Sequence, residues 1–268
     1  MRRTKYQTGR AAAGTRLLDE LDPAPVVAVN GGARSPFLLV CDHAGRLTPR
    51  SLGDLGAPPS VFEQHVAWDI GAGALSRRMA QDLGACVIQQ VYSRLVIDCN
   101  RAPDRADAMV AVSDGISIPG NLAIDPREAA ARVAEVHAPY HRRIAAELDE
   151  RAARGFRTVL VAIHSFTPQM NGFTRPWQLG VLHLGNSPFS QAMLASLRRE
   201  PGLTVGDNEP YAMDGIDHTV PVHAIARGLD YLELEVRQDL IADGDGQARM
   251  AELLLRRLGG VAAELGYG

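Results

Sequence analysis

The sequence predicts an α/β fold built on a mixed, mostly parallel sheet with helices on both faces. Apolar runs of strand length alternate with segments of helical period. Most of the strand runs are unbroken rather than alternating apolar and polar, as expected where helices cover both faces of a sheet. No internal repeat, low-complexity tract or interdomain linker interrupts the series.

In chain order, the strand candidates cover residues 37–41, 85–91, 95–98, 158–163, 178–184 and 231–237. Val66, Ile70, Leu75, Met79 and Leu83 recur at near-helical spacing between the first two strands. Val133, Val136, Tyr140, Ile144 and Leu148 do so before the fourth, and Met250, Leu253, Leu254 and Leu258 after the last. The second of these helices carries its own start signal, with Asp125 as N-cap, Pro126 in the first turn and Glu128 at the third position. Gly155 supplies its stop. Residues 104–125 are polar and contain glycine, and read as a long loop over the sheet.

The chain has 268 residues, 46% of them hydrophobic and 22% charged, which suits one α/β domain over residues 35–268. Residues 1–34 read as an N-terminal extension, ordered at most in part. A net charge of −3 gives no electrostatic reason to expect nucleic acid or an anionic membrane as partner. No apolar stretch is long enough to span a bilayer, and the basic N-terminus lacks the apolar core of a signal peptide. The three cysteines, Cys41, Cys86 and Cys99, lie in or beside apolar runs and read as buried thiols of a cytoplasmic protein. The sequence leaves the oligomeric state open.

Ligands of parallel sheets gather at the carboxyl ends of the strands. Four strand ends carry reactive residues. "PFLLVCDHAGRLTP" runs into Asp42 and His43, and "VYSRLVIDCNRAPD" into Asp98, Asn100, Arg101 and Asp104. "TVLVAIHSFTPQ" runs into His164 and Ser165. In "DYLELEVRQDL", strand alternation puts Glu233, Glu235 and Arg237 on the face opposite Leu232, Leu234 and Val236. Two carboxylates within a covered strand are costly unless paired or metal-associated.

Two neutral imidazoles and a carboxylate make a catalytic zinc site with an open position. A further carboxylate can serve as general base, and a guanidinium can steady an oxyanion or clamp a substrate carboxylate. Asp69 is one candidate for the third ligand, with capping of the following helix as its structural alternative. His65, four residues earlier, is another. Asp42 would orient His43 or a neighbour, and Gly45 would leave room for substrate.

His137 and His141 have helical i, i+4 spacing, but Ala138 stands where the glutamate of H-E-x-x-H belongs and Pro139 intervenes. The pair reads as packing around Tyr140. His183, His218 and His223 have no assigned role. Phosphate-binding glycine motifs and a G-x-S-x-G nucleophile elbow are absent from the sequence.

The segments "LLVCDHAGRLTP", "HVAWDIGA", "YSRLVIDCNRAPD", "AIHSFTP", "GDNEPY" and "LELEVRQDLI", in that order, resemble the N-formylglutamate amidohydrolase family over residues 35 to 260. The resemblance implies a phosphorylase/hydrolase-like scaffold similar to zinc carboxypeptidases and aspartoacylase. It implies hydrolysis of a small N-acyl amino acid, in the named activity N-formyl-L-glutamate to formate and glutamate. By motif, His43, Asp69 and His164 look like the ligands of one divalent ion, Zn2+ by the donor set. Arg46 stands where the related scaffolds carry their glutamate ligand, and Asp69 is the candidate for that role. Glu235 resembles the general base, with Glu233 on the same face, and Arg94 is a candidate for the oxyanion. Asn100 and Arg101 resemble a carboxylate-binding pair. Asn208, Glu209 and Tyr211 look like part of a loop over a small-molecule carboxylate substrate. Two rivals stay open: a deacylase or peptidase for another small amide, and a metal-free carboxylate binder.

Overall fold

A computed structural model of the chain describes residues 16–267. The first 15 residues, which hold the basic N-terminal stretch and the start of the extension read over residues 1–34, lie outside it. Strands β1 (Val26–Val29) and β2 (Phe37–Cys41) precede helix α1 (Ala72–Asp82) and strand β3 (Cys86–Gln90). The segment that follows carries a small hairpin, β4 (Val112–Ser113) and β5 (Ile116–Ser117), ahead of α2 (Pro126–Arg132) and α3 (Ala138–Ala153). After β6 (Val159–Phe166) come a second small hairpin, β7 (Gln169–Met170) and β8 (Phe173–Thr174), and strand β9 (Leu179–Leu182). Helix α4 (Pro188–Arg198), β10 (Val205–Asp207), the short α5 (Thr219–His223), β11 (Asp230–Arg237) and α6 (Gly244–Glu264) complete the chain.

The main sheet has seven strands in the order β1-β3-β2-β6-β11-β9-β10. Its four central strands, β3, β2, β6 and β11, are mutually parallel. β1 is antiparallel at one edge, and at the other β9 runs antiparallel to β11 with β10 parallel to β9. The sheet is therefore mixed and mostly parallel. Every residue of β2, β3 and β6 is buried, because successive side chains meet different helices. Leu39, Val161 and Leu234 pack with Leu75, Met79, Phe189 and Leu254 from α1, α4 and α6. Leu38, Val40 and Leu160 pack with Tyr140, Ile144 and Val220 from α3 and α5. The unbroken apolar runs follow from this two-sided cover.

The structure adds α4, α5, β10 and the two small hairpins to the elements read from sequence, and departs from that reading in four further places. Residues 95–98 form no strand: Leu95, Val96 and Ile97 fill a third apolar cluster beneath the loops. Side chains and loop carbonyls, rather than a neighbouring strand, satisfy this backbone. Asn121 Nδ2 donates to Leu95 O at 2.8 Å and Arg132 Nη1 to Val96 O at 3.0 Å. Second, β1 adds an edge strand from within residues 1–34. Third, α1 starts only at Ala72, after Gly71 in the left-handed region at φ 82°. An added Cβ there would lie 2.2 Å from Ile241 O, so the close approach as well as the dihedral requires glycine. Fourth, a π-helical turn over Val133–His137 joins α2 to α3. It falls just before Pro139, whose ring cannot fit a regular helical turn. The start signal is as read: the Asp125 side chain accepts from Arg127 N at 2.7 Å, and Gly155 follows α3 at φ 71°.

The three cysteines are buried free thiols. Among the described residues no helix is long and apolar enough to cross a membrane.

Candidate active site

Because β3, β2, β6 and β11 are parallel neighbours, their carboxyl ends lie side by side. The chain leaving β2 delivers Asp42 and His43. His164 lies inside β6, which runs three residues beyond the strand read from sequence. In the register of β6 and β11, Glu235 stands opposite His164 and Glu233 opposite Ala162, so both carboxyls share the His164 face. The turn after β3 supplies Arg94, Asp98, Asn100 and Arg101.

His43, Asp69 and His164 are all buried, and one donor atom from each lies within 4.8 Å of the others. Asp69 Oδ2 is their meeting point, 3.3 Å from His43 Nδ1 and 2.9 Å from His164 Nδ1. The opposite nitrogens face other acids. His43 Nε2 is 2.7 Å from Asp98 Oδ1, and His164 Nε2 is 3.2 Å from Asp42 Oδ2, within ion-pair range but out of line for a hydrogen bond. Each imidazole thus turns one nitrogen toward Asp69 and the other toward a second carboxylate; for His43 the second contact is a hydrogen bond of the kind that sets tautomer and ring orientation in metal-binding histidines. Asp42 faces the neighbour, His164, rather than His43.

Asp69 does not cap α1. Its oxygens are engaged by the two imidazoles, by Ser165 N at 3.3 Å and by Arg94 Nη1 at 3.4 Å. Its own N–H donates to His43 O at 2.9 Å, which ties the two segments together. Arg46 turns away, paired with Glu63 and lying 5.2 Å over the Trp68 ring. His65 is drawn elsewhere, with Nε2 3.1 Å from Asp114 Oδ2.

The electrostatics of the cluster are reciprocal. Burial by itself would raise the Asp69 and Asp42 carboxyls, but the adjacent imidazoles outweigh it and hold both well below the usual range. Burial would lower His43 and His164, yet the surrounding carboxylates raise both. Asp98 is likewise held low against its burial, chiefly by Arg94. Glu233 and Glu235 lack such partners. Burial lifts them to about 8 and about 7, and one oxygen of each is buried without a hydrogen bond.

All of these groups except Asp42 line a cavity of about 370 Å³, a volume typical of small-molecule sites. Its lining carries seven carboxyl groups against two guanidiniums, and even with Glu233 protonated the excess of acids favours a cation. Two imidazoles and a carboxylate around one point, unpaired carboxyl oxygens beside them and an acidic lining all fit a divalent ion of the zinc type.

The remaining candidates separate. Arg94 lines the cavity, anchored on Asp98 Oδ2 by Nη2 at 2.7 Å and Nε at 3.1 Å. Half-buried Arg101 also lines it, with Nη1 3.5 Å from Asp217 Oδ1 and 2.9 Å from Asn100 O. Asn100 reaches the lining, but its side chain is occupied. Nδ2 donates to Asp217 Oδ1 at 3.1 Å, and Oδ1 accepts from His218 N and Thr219 N at 3.0 and 2.9 Å. Tyr211 lines the cavity with the Arg175 guanidinium 4.7 Å over its ring. Asn208 and Glu209 do not. Asn208, at φ 52°, spends its amide on His183 N, His183 O and Met213 N. The Glu209 backbone packs against Gly180 and Gly206, where an added Cβ would meet its carbonyl oxygen at 2.1 and 2.5 Å. Gly45 opens no space for a ligand either, since a Cβ there would fall 1.9 Å from Val91 O.

Sequence reasoning gave no role to Asp98 or Asp217. Asp98 was visible beside Asn100 and Arg101. Asp217 lies in a polar loop with no strand end to mark it.

Comparison with known proteins bears on the same region. A family model described as N-formylglutamate amidohydrolase matches residues 35–242. The gene product Atu2144 from Agrobacterium tumefaciens is 38% identical, with a TM-score of 0.90 over 94% of this chain and 100% of that one. An N-formylglutamate amidohydrolase from Ralstonia eutropha JMP134 shares the fold at 18% identity, with a TM-score of 0.66 over 90% of this chain and 98% of that one. A search of curated proteins finds no match.

Proposed function

Because the chain belongs to the N-formylglutamate amidohydrolase family, we propose that it hydrolyses the amide of a small N-acyl amino acid of the N-formyl-L-glutamate type. His43, Asp69 and His164 would hold the divalent ion, zinc by the donor set. The observation that carries the reading is Glu235, in register with His164 and presenting an unpaired oxygen among cavity-lining groups.

The ion, when bound, supplies Lewis acidity, polarising the amide carbonyl and acidifying water. Glu235, with a pKa of about 7, accepts a proton from the water as its oxygen adds to the carbonyl carbon. It then delivers that proton to the amine nitrogen as the C–N bond breaks, leaving the carboxylic acid and the free amino acid. Arg94, held in place by Asp98 and Asp69, faces the charge that develops on the carbonyl oxygen. Arg101 clamps the substrate carboxylate from the Asn100 turn. Glu233, lifted to about 8 by burial, stays protonated near neutrality and offers an O–H to the substrate.

The test is turnover of N-formyl-L-glutamate and other N-acyl amino acids by zinc-loaded protein without a histidine tag. Release of acid and amino acid in equal amounts, lost in Glu235→Gln, is the expected result. Failure to turn over any of them would overturn the assignment.

A further inference from the structure

We propose a second cation site, formed by His137, His141 and His218, for a borderline divalent ion such as Zn2+, Ni2+ or Co2+. The sequence reading set His137 and His141 aside because Ala138 stands where the glutamate of H-E-x-x-H belongs and because Pro139 interrupts their helix. The structure nevertheless brings the two rings together and adds a third imidazole from elsewhere in the chain. The π-helical turn that ends at His137 places its ring beside His141, with centroids 4.3 Å apart. His218, at the start of α5, closes the triangle at 5.5 Å from His137 and 4.9 Å from His141. Imidazoles bound at roughly 2 Å around one tetrahedral ion have ring centres about 5 Å apart. One ring nitrogen from each of the three lies within 4.8 Å of the others.

Hydrogen bonding prepares the donors. His137 Nε2 lies 3.0 Å from Arg101 O and His141 Nε2 2.9 Å from Cys99 O. A carbonyl only accepts, so both Nε2 atoms carry the proton and both Nδ1 atoms keep a lone pair. This is the backbone anchoring that metal-binding histidines show. Among the described residues no hydrogen bond occupies His137 Nδ1 or either ring nitrogen of His218. His223 Nε2 donates to His141 Nδ1 at 2.9 Å with its ring stacked at 9°, so a fourth imidazole stands at the site. An ion bound to His141 Nδ1 takes the lone pair that accepts this hydrogen bond, and His223 keeps its proton and turns aside. Burial, aided by the neighbouring imidazoles, keeps His141 and His223 neutral, at about 3 and about 4.

The set contains no carboxylate, which selects against Mg2+ and Ca2+. It is distinct from the His43, Asp69 and His164 cluster and shares no residue with it. The two sites meet through Thr219, next to His218, whose Oγ1 donates to Asp42 Oδ1 at 2.7 Å, and through the turn of Cys99–Arg101. The imidazoles grip this turn at two carbonyls, and from it Arg101 reaches the cavity. An ion here would lock α3, α5 and that turn together.

The experiment titrates chelator-treated protein without a histidine tag with Co2+, read by calorimetry and by the visible absorption of the bound ion. Wild type should take up two equivalents, and His164→Ala should retain one. In that background His218→Gln should weaken the retained equivalent at least tenfold. His218 is only half-buried, and circular dichroism checks that the variant folds. His137→Gln provides a second, independent variant. Uptake of a single equivalent by wild type, none by His164→Ala, or a retained equivalent indifferent to both His218→Gln and His137→Gln would overturn the proposal.

Discussion

Replacing Glu235 by Gln tests two consequences of one buried carboxyl. The side chain sits in β11 with Oε2 unpaired, and burial lifts its pKa from 4.5 to about 7. A raised folded-state pKa contributes stability that is complete below the unfolded value and is lost as pH climbs through the folded one. Between about pH 5 and about pH 8 the folded protein therefore releases a proton that the unfolded chain has mostly released already. Integrating the two titrations gives a loss of roughly 2–3 kcal/mol. Gln does not titrate, while Glu233 and the imidazoles are common to both proteins. The difference in unfolding free energy should thus move by roughly that amount in favour of Glu235→Gln as pH rises. Urea unfolding of chelator-treated wild type and variant at the two pH values reads the shift. Turnover by the zinc-loaded variant should fall by about 10²–10⁴ if Glu235 is the general base. A variant as active as wild type, or a stability difference that does not move with pH, would refute this account of the residue.

Three further outcomes follow from the same geometry. Asp98→Asn removes the carboxylate 2.7 Å from His43 Nε2, and metal affinity should drop about 10–100-fold in a competition titration. Unchanged affinity would deny Asp98 its orienting role. Arg101→Met should raise KM at least about tenfold with a smaller change in kcat, since it removes a contact to the substrate carboxylate rather than to the reacting centre. An equal fall in kcat would relocate Arg101 to the chemistry. Because neighbouring carboxylates raise His43 and His164, an ion must displace protons there. Affinity should weaken as pH is lowered, and calorimetry in buffers of different ionisation heat should show proton release; pH-independent affinity would contradict this.

The sheet was legible where two-sided burial left a continuous apolar run. Residues 37–41 are β2 to the residue, and alternation correctly placed Glu233 and Glu235 on one face of β11. The run at 95–98 misled because burial of Leu95 to Ile97 looks the same whether a strand or side chains such as Asn121 and Arg132 satisfy the backbone. His43 and His164 stood out as imidazoles following apolar strands. Asp69 was harder, since a carboxylate before a helix also reads as a cap, and only the closure of its segment onto His43 O settles where it points. Asn208 and Glu209 looked like substrate contacts because loop-shaping residues and ligand-binding ones are both polar. The His137, His141 and His218 group lay beyond sequence reasoning: its third member arrives on a different helix, and its first is swung into place by a π-helical turn.

The proposed reaction stands or falls with the ion site of His43, Asp69 and His164. Elemental analysis of wild type and His164→Ala, each purified without a histidine tag and equilibrated with zinc, tests that site. The variant should hold about one equivalent less zinc, with turnover of N-formyl-L-glutamate lost alongside it. Equal zinc in the two proteins, or none in wild type, would contradict it.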